Sequence, residues 1–222
     1  MKDKKVIIYQ LLAVSLLVSL VCTVAMGRRT SKEVEDVPRT PVTPNPEAPA
    51  EGWRKIAPAE LKDNPIELVD GYKGILAMGN KEEHNAMTIG WGTLGVLWRK
   101  PIFTVFVSTS RFSHSLMEKN ETFTVSFFNK SHYDDVMYLG HHSGRDGDKI
   151  SKTNLHLTYT ENGNPMFDDA FLVIECRKIY DAPFDYDKID KECRTMYDGG
   201  KTGIHYEYAG EILNVFVNDS NR

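Results

Sequence analysis

Asn85-Ala86-Met87-Thr88-Ile89-Gly90-Trp91-Gly92 opens the stretch that decides the fold. It continues through Trp98-Arg99-Lys100-Pro101 and Ser108-Thr109-Ser110-Arg111-Phe112-Ser113-His114 to Ser126. The first half reads as a pair of strands with a turn between them. The second reads as a strand, with Val105 and Val107 at the spacing of a half-buried face, that ends in phosphate-binding groups. A phosphate needs several donors converging from a short length of chain, and Ser-Thr-Ser-Arg supplies hydroxyls and a planar charged fork. Ser113 to Lys119 then reads as a short helix. Ser115-Leu116-Met117-Glu118 fits the Ser-x-x-Glu capping pattern, so the helix is expected to begin within a residue or two of Ser115. A helix N-terminus there would add free N–H groups and a partial positive charge. The plainer alternative is an ordinary polar turn followed by a helix cap.

Outward from this stretch, strand signals dominate a folded region from about Trp53 to near Val217. Ile75-Leu76-Ala77-Met78 precedes a polar turn at Gly79 to Glu83. Met87 to Ile89, Thr93 to Leu97, Phe103 to Val107 and the β-branched and aromatic run Thr122 to Phe128 follow. Leu172 to Cys176 and Ile204 to Val217 add two more. A second short helix fits Ser131 to Tyr138, stopped by Gly140. Many short strands with few helices indicate a mainly β fold, an antiparallel barrel rather than a doubly wound sheet. There is no internal repeat.

The chain has 222 residues, 41% of them hydrophobic, which is enough for one sizeable core. Its formal net charge of -4 gives no electrostatic case for nucleic acid, whose binders usually carry a basic face. Three cysteines are too few for a disulfide scaffold, and Cys176 and Cys193 could pair only if the fold brings them together. His141 and His142 are adjacent before Ser143-Gly144, but no third metal ligand is evident, so a solvated loop is the favoured reading.

The N-terminus differs in kind. Lys2, Lys4 and Lys5 precede an uncharged run from Val6 to Met26, followed by Arg28 and Arg29. The run is long enough to span a bilayer and also fits a signal peptide with Thr23-Val24-Ala25 as a cleavage candidate. Residues 1–29 are therefore expected to export the chain, cleaved or retained as a membrane anchor. Residues 30–51, with Pro38, Pro41, Pro44, Pro46 and Pro49, read as a stiff extended spacer, and 52–222 as the folded domain.

The ordered set Trp53-Arg54-Lys55-Ile56, Asn64-Pro65, Asn85-Ala86-Met87-Thr88, Trp98-Arg99-Lys100-Pro101, Ser110-Arg111-Phe112-Ser113-His114 and Ser143-Gly144-Arg145-Asp146-Gly147-Asp148-Lys149 resembles the flavin reductase-like family, specifically its flavoredoxin-type members. The resemblance covers about Trp53 to Glu175. It implies an FMN-binding split β-barrel, usually a homodimer with FMN near the subunit interface. It places Asn85, Met87 and Thr88 on the strand bordering the flavin ring. Ser108, Thr109, Ser110 and Arg111 fall on the segment holding the phosphate and ribityl chain, with Ser113 and His114 continuing it. Lys149 matches a basic position that approaches the flavin or its phosphate. Trp91 is left to the core or an interface. Most relatives carry no apolar leader or proline spacer, which puts their usual partners in question here.

Hydride transfer to a flavin needs stacking and a short approach, not a side-chain nucleophile, so the lack of an acid/base pair is expected. Two functions follow from the resemblance. One is an FMN-dependent reductase taking electrons from NAD(P)H or a carrier and passing them to flavin or another acceptor. The other is a non-catalytic FMN-binding electron-transfer protein serving a redox-protein partner. A barrel that has lost its ligand is the third reading. The absence of Gly-x-Gly-x-x-Gly does not separate them.

Overall fold

The computed structural model describes residues 52–200 and 202–222; the expected leader (1–29) and spacer (30–51) lie outside the described residues. Ten strands are described: β1 (Arg54–Ile56), β2 (Gly74–Gly79), β3 (His84–Ile89), β4 (Gly92–Leu97), β5 (Lys100–Ser108), β6 (Thr122–Phe127), β7 (Leu157–Tyr159), β8 (Pro165–Phe167), β9 (Leu172–Pro183) and β10 (His205–Val217). Three α-helices accompany them: α1 (Phe112–Lys119), α2 (Tyr133–His141) and the single turn α3 (Lys191–Arg194).

The main sheet runs β3-β2-β6-β9-β10-β5-β4, with β1 also paired to β10, and every pairing is antiparallel. Its two ends, β3 and β4, are consecutive in the chain and separated only by Gly90 and Trp91. Seven strands laid flat would put those ends about 29 Å apart, at about 4.8 Å per strand. Three Cα steps span no more than about 11 Å. The sheet must therefore roll up until its ends meet. No β3–β4 pairing is among the described ladders, so the barrel is left open along that seam.

Burial follows from the rolling. β2 is buried along its whole length because both its faces are covered. Leu76 and Met78 point into the main core with Phe103, Val105, Val107, Phe123, Val125 and Tyr208. Ile75 and Ala77 point outward against Val136 and Leu139 of α2 and Met166 and Phe167 of the β7–β8 hairpin. At Gly210 the strands approach so closely that a Cβ would sit 2.6 Å from both Cys176 Cβ and Phe123 Cζ, which only glycine avoids. The β4–β5 hairpin turns on Trp98 and Arg99, both with positive φ, the handedness that matches the strand twist.

Two local expectations need correction, and the open question of the cysteines is answered. α1 begins at Phe112, with Arg111 as its N-cap and no side-chain cap; Ser115 is inside the helix and its Oγ donates to Phe112 O at 2.8 Å. Gly140 does not stop α2, which runs through it to His141, after a 3-10 turn capped by Asn129. Cys176 is buried and Cys193 exposed, both as free thiols.

Candidate functional site

The end of β5 is tied to the approach to β10. Ser108 Oγ donates to Gly203 O at 2.8 Å and lies 2.9 Å from Ser110 Oγ, while Thr109 N donates to Ile204 O at 2.9 Å. Arg111 N donates to Ser108 O at 3.0 Å, turning the chain into α1. α1 has no side-chain cap, and of its first N–H groups His114 N donates to Arg111 O at 3.1 Å. The second wall is β3, an end strand of the sheet, so alternate backbone groups face away from its one partner. Asn85 Nδ2 donates to the buried Ser113 Oγ at 2.9 Å, fixing β3 to the first turn of α1. Thr88 Oγ1 donates to Val136 O and holds α2 against the same strand.

The third wall is the segment after α2. Ser143 Oγ accepts from Arg145 N at 3.2 Å, shaping a turn. Gly144 lies so close that a Cβ would meet Asn85 Oδ1 at 2.6 Å and Phe112 Cδ1 at 2.8 Å. Arg145 Nη1 donates to Ser110 O at 3.1 Å, and its guanidinium lies 5.7 Å from the Phe112 ring centre. These walls enclose a cleft of about 370 Å³, within the range of small-molecule sites.

Six residues singled out in the sequence line this cleft: Asn85, Met87, Ser110, Arg111, Ser113 and Lys149. Thr88 and Ser108 line an adjoining cavity of about 160 Å³ that shares Met87 and Arg111 with the first. Thr109 and His114 line neither of these two. His114 Nδ1 lies 2.7 Å from Tyr208 Oη, and its ring packs on Tyr206 at 4.7 Å. Tyr208 Oη donates its one proton to Glu118 at 2.7 Å, so in that bond His114 is the donor. Lys149 borders the cleft, but its Nζ donates to Leu139 O at 2.6 Å and to His142 O at 2.8 Å.

The electrostatics suit an anion. Arg111, Arg145 and Lys149 line the cleft, and none of its described lining residues is a carboxylate. Arg111 is exposed, and the one described hydrogen bond of its side chain, to Gly140 O, is long at 3.4 Å. Burial, and after it the Arg111 charge, lower the Lys149 ammonium to about 8.

Sequence reasoning missed His205. It lines the adjoining cavity, packs on Trp91 at 4.6 Å between ring centres, and leaves its buried Nδ1 without a hydrogen-bond partner. Burial, then the Arg111 charge, lower its pKa and so favour the neutral imidazole. No local pattern marks it. Only the β5–β10 pairing, which sets His205 opposite Ser108, brings it here. Thr202, Gly140 and His142 also line the main cleft and were not anticipated. Of the adjacent histidines, His141 closes α2 and His142 stacks on Tyr138 at 3.8 Å.

The family model of a flavin reductase like domain matches residues 74–222. An uncharacterized protein of Archaeoglobus fulgidus is 25% identical over 157 residues, covering 71% of this chain and 78% of that protein. Among solved structures, flavoredoxin from Methanosarcina acetivorans matches with a TM-score of 0.54 at 22% identity, over 72% of this chain and 76% of that one. An FMN-binding protein from Thermus thermophilus with bound 1-cyclohex-2-enone matches with a TM-score of 0.54 at 23% identity, over 76% and 83%. At these identities the structural likeness shows the fold. It is the split barrel implied by the open β3–β4 seam.

Proposed function

The chain belongs to the flavin reductase-like family, and from that premise we propose that the cleft between β3, α1 and the segment after α2 binds FMN for electron transfer. The observation that carries this reading is the set of hydroxyls and the Arg111 guanidinium at the end of β5, joined by Arg145, opening into a cleft with no acid among its described lining residues. Ser110, Arg111 and Arg145 hold the phosphate, with Arg111 offering a fork that protein groups engage only weakly. Met87 and Phe112 provide apolar wall, and the free edge of β3 offers main-chain groups to the polar rim of the ring. Bound flavin supplies the hydride and electron chemistry. On the far side, His205 lines the cavity beside Trp91, with its buried Nδ1 unpartnered.

We propose NAD(P)H or a redox carrier as the electron source. A homodimer completes the reading. Supporting it is a groove beside the cavity, lined in part by Pro65, Ile66, Val69, Trp91, Leu94 and Phe106, with Ile66 exposed. Such an apolar lining suits a second copy.

The test is an absorbance spectrum of the FMN-loaded protein under anaerobic conditions. Bleaching of the flavin band by NADH or NADPH is expected. A band bleached by dithionite alone would replace the reductase with an electron carrier fed by another protein. No bound band would refute both.

A further inference from the structure

Lys149 is the least exposed cation of the cleft, at 7%, and its ammonium is engaged by main-chain carbonyls. It donates to Leu139 O and His142 O, the carbonyls at the C-terminal end of α2 and at the residue that caps it. The last carbonyls of a helix have no partner within it, and a cation there complements the helix dipole. Two bonds from one ammonium therefore staple the start and middle of the segment 139–145. That segment is the third wall of the cleft: Leu139, Gly140, His142, Ser143, Gly144 and Arg145 all line it.

The wall has little freedom to move without consequence. Gly140 and Gly144 pass within 3.0 Å and 2.6 Å of Thr88 and Asn85, measured from the Cβ each lacks. Arg145, from the same wall, reaches Ser110 O. A shift of the segment thus displaces β3 contacts and the Arg145 guanidinium together.

We propose that Lys149 is a positioning residue: by tying the Leu139 and His142 carbonyls it fixes the 139–145 wall, and so sets affinity for the flavin ring and its phosphate alike, without contacting the phosphate itself. This rests on the flavin reading of the cleft. The groups facing Lys149 are Arg111, His142 and Arg145 from the cleft, and Glu82, Glu83, His84 and Asp148 from a second cavity that it also borders. Its lowered pKa of about 8 makes the staple sensitive to pH. Above pH 8 the amine is neutral, and its bonds lose the charge that makes such bonds roughly twice as strong. The sign for folding is opposite. A folded pKa below the usual lysine value means the charged form is disfavoured in the fold, so this group's contribution to stability improves as pH rises from about 8 toward the ordinary value near 10.5.

The test compares the protein with its Lys149→Met variant, using FMN and riboflavin, which lacks the phosphate. Lys149→Met is expected to weaken both flavins by about tenfold, a difference of about 1.4 kcal/mol. Amide exchange at 140–145 is expected to speed up in the ligand-free protein. Loss of FMN affinity with riboflavin unchanged would overturn the proposal, because it would make Lys149 a direct phosphate ligand. Unchanged exchange at 140–145 would overturn it as well. A protein that binds neither flavin defeats the flavin reading instead, while the exchange comparison still decides the staple. Should Lys149→Met fail to fold, raising the pH from 7 to 9 on the native protein removes the charge without a substitution. Riboflavin affinity is then expected to fall by about threefold, and a pH-independent affinity overturns the proposal.

Discussion

Arg111→Ala is expected to weaken FMN binding by about a hundredfold and to leave riboflavin within about twofold, as read by quenching of flavin fluorescence. A bidentate guanidinium–phosphate contact contributes two charge-assisted hydrogen bonds, each worth about 1.5–3 kcal/mol. Arg111 is exposed, and solvent screening reduces that sum to about 2.7 kcal/mol, or two factors of ten. Deleting the fork costs the protein little, because its described bond to Gly140 O is long. The same exposure predicts that FMN affinity falls with added salt while riboflavin affinity does not. A riboflavin loss equal to the FMN loss would mean that Arg111 shapes the cleft rather than holding the phosphate.

Glu175→Ala is expected to lower the unfolding free energy by about 4 kcal/mol. Glu175 is fully buried on β9, with no cation among its described partners. Its Oε1 accepts from Thr160 Oγ1 and, at 2.7 Å, from Asn164 Nδ2. Its Oε2 accepts from Asn162 Nδ2 at 3.0 Å and from Asn214 Nδ2. A carboxylate satisfied by four neutral donors is tolerable in a low dielectric; removing it strands those donors. Thr160, Asn162 and Asn164 sit in the β7–β8 hairpin, so this carboxylate pins the hairpin to the sheet. Glu175→Gln is also expected to destabilise, since its amide N–H would face donors. Urea unfolding is the measurement, with a lower midpoint expected at similar slope. An unchanged midpoint would mean that the hairpin is held by its apolar contacts alone.

Sequence made the barrel legible where one strand carries its own signal. Phe103 to Val107 and Thr122 to Phe127 show β-branched and aromatic patterning that needs no partner to be read. β1, β7 and β8 were missed because each has three residues, too few for a period, and each exists through a partner supplied by the fold. Gly140 was read as a helix stop because glycine commonly ends helices. In the fold its missing side chain instead lets α2 lie against Thr88.

The site divides in the same way. Ser108, Ser110 and Arg111, which line the two cavities, stand out in the sequence because they are close together and chemically coherent. His114 was grouped with them by proximity, but one step along a helix turns a side chain by about 100°. Ser113 therefore meets Asn85, while His114 meets Tyr206 and Tyr208. The resemblance places Lys149 near the flavin or its phosphate, and only the path of α2 shows which carbonyls its charge meets. His205 reaches the site through strand pairing alone.

The most direct test of the cleft as a flavin site is a titration of FMN into the purified protein and its Arg111→Ala variant, followed by flavin fluorescence at low salt. The account predicts saturable quenching by the native protein and a curve displaced by about two decades in the variant. Native and variant curves that coincide, or no saturation by either, would contradict it.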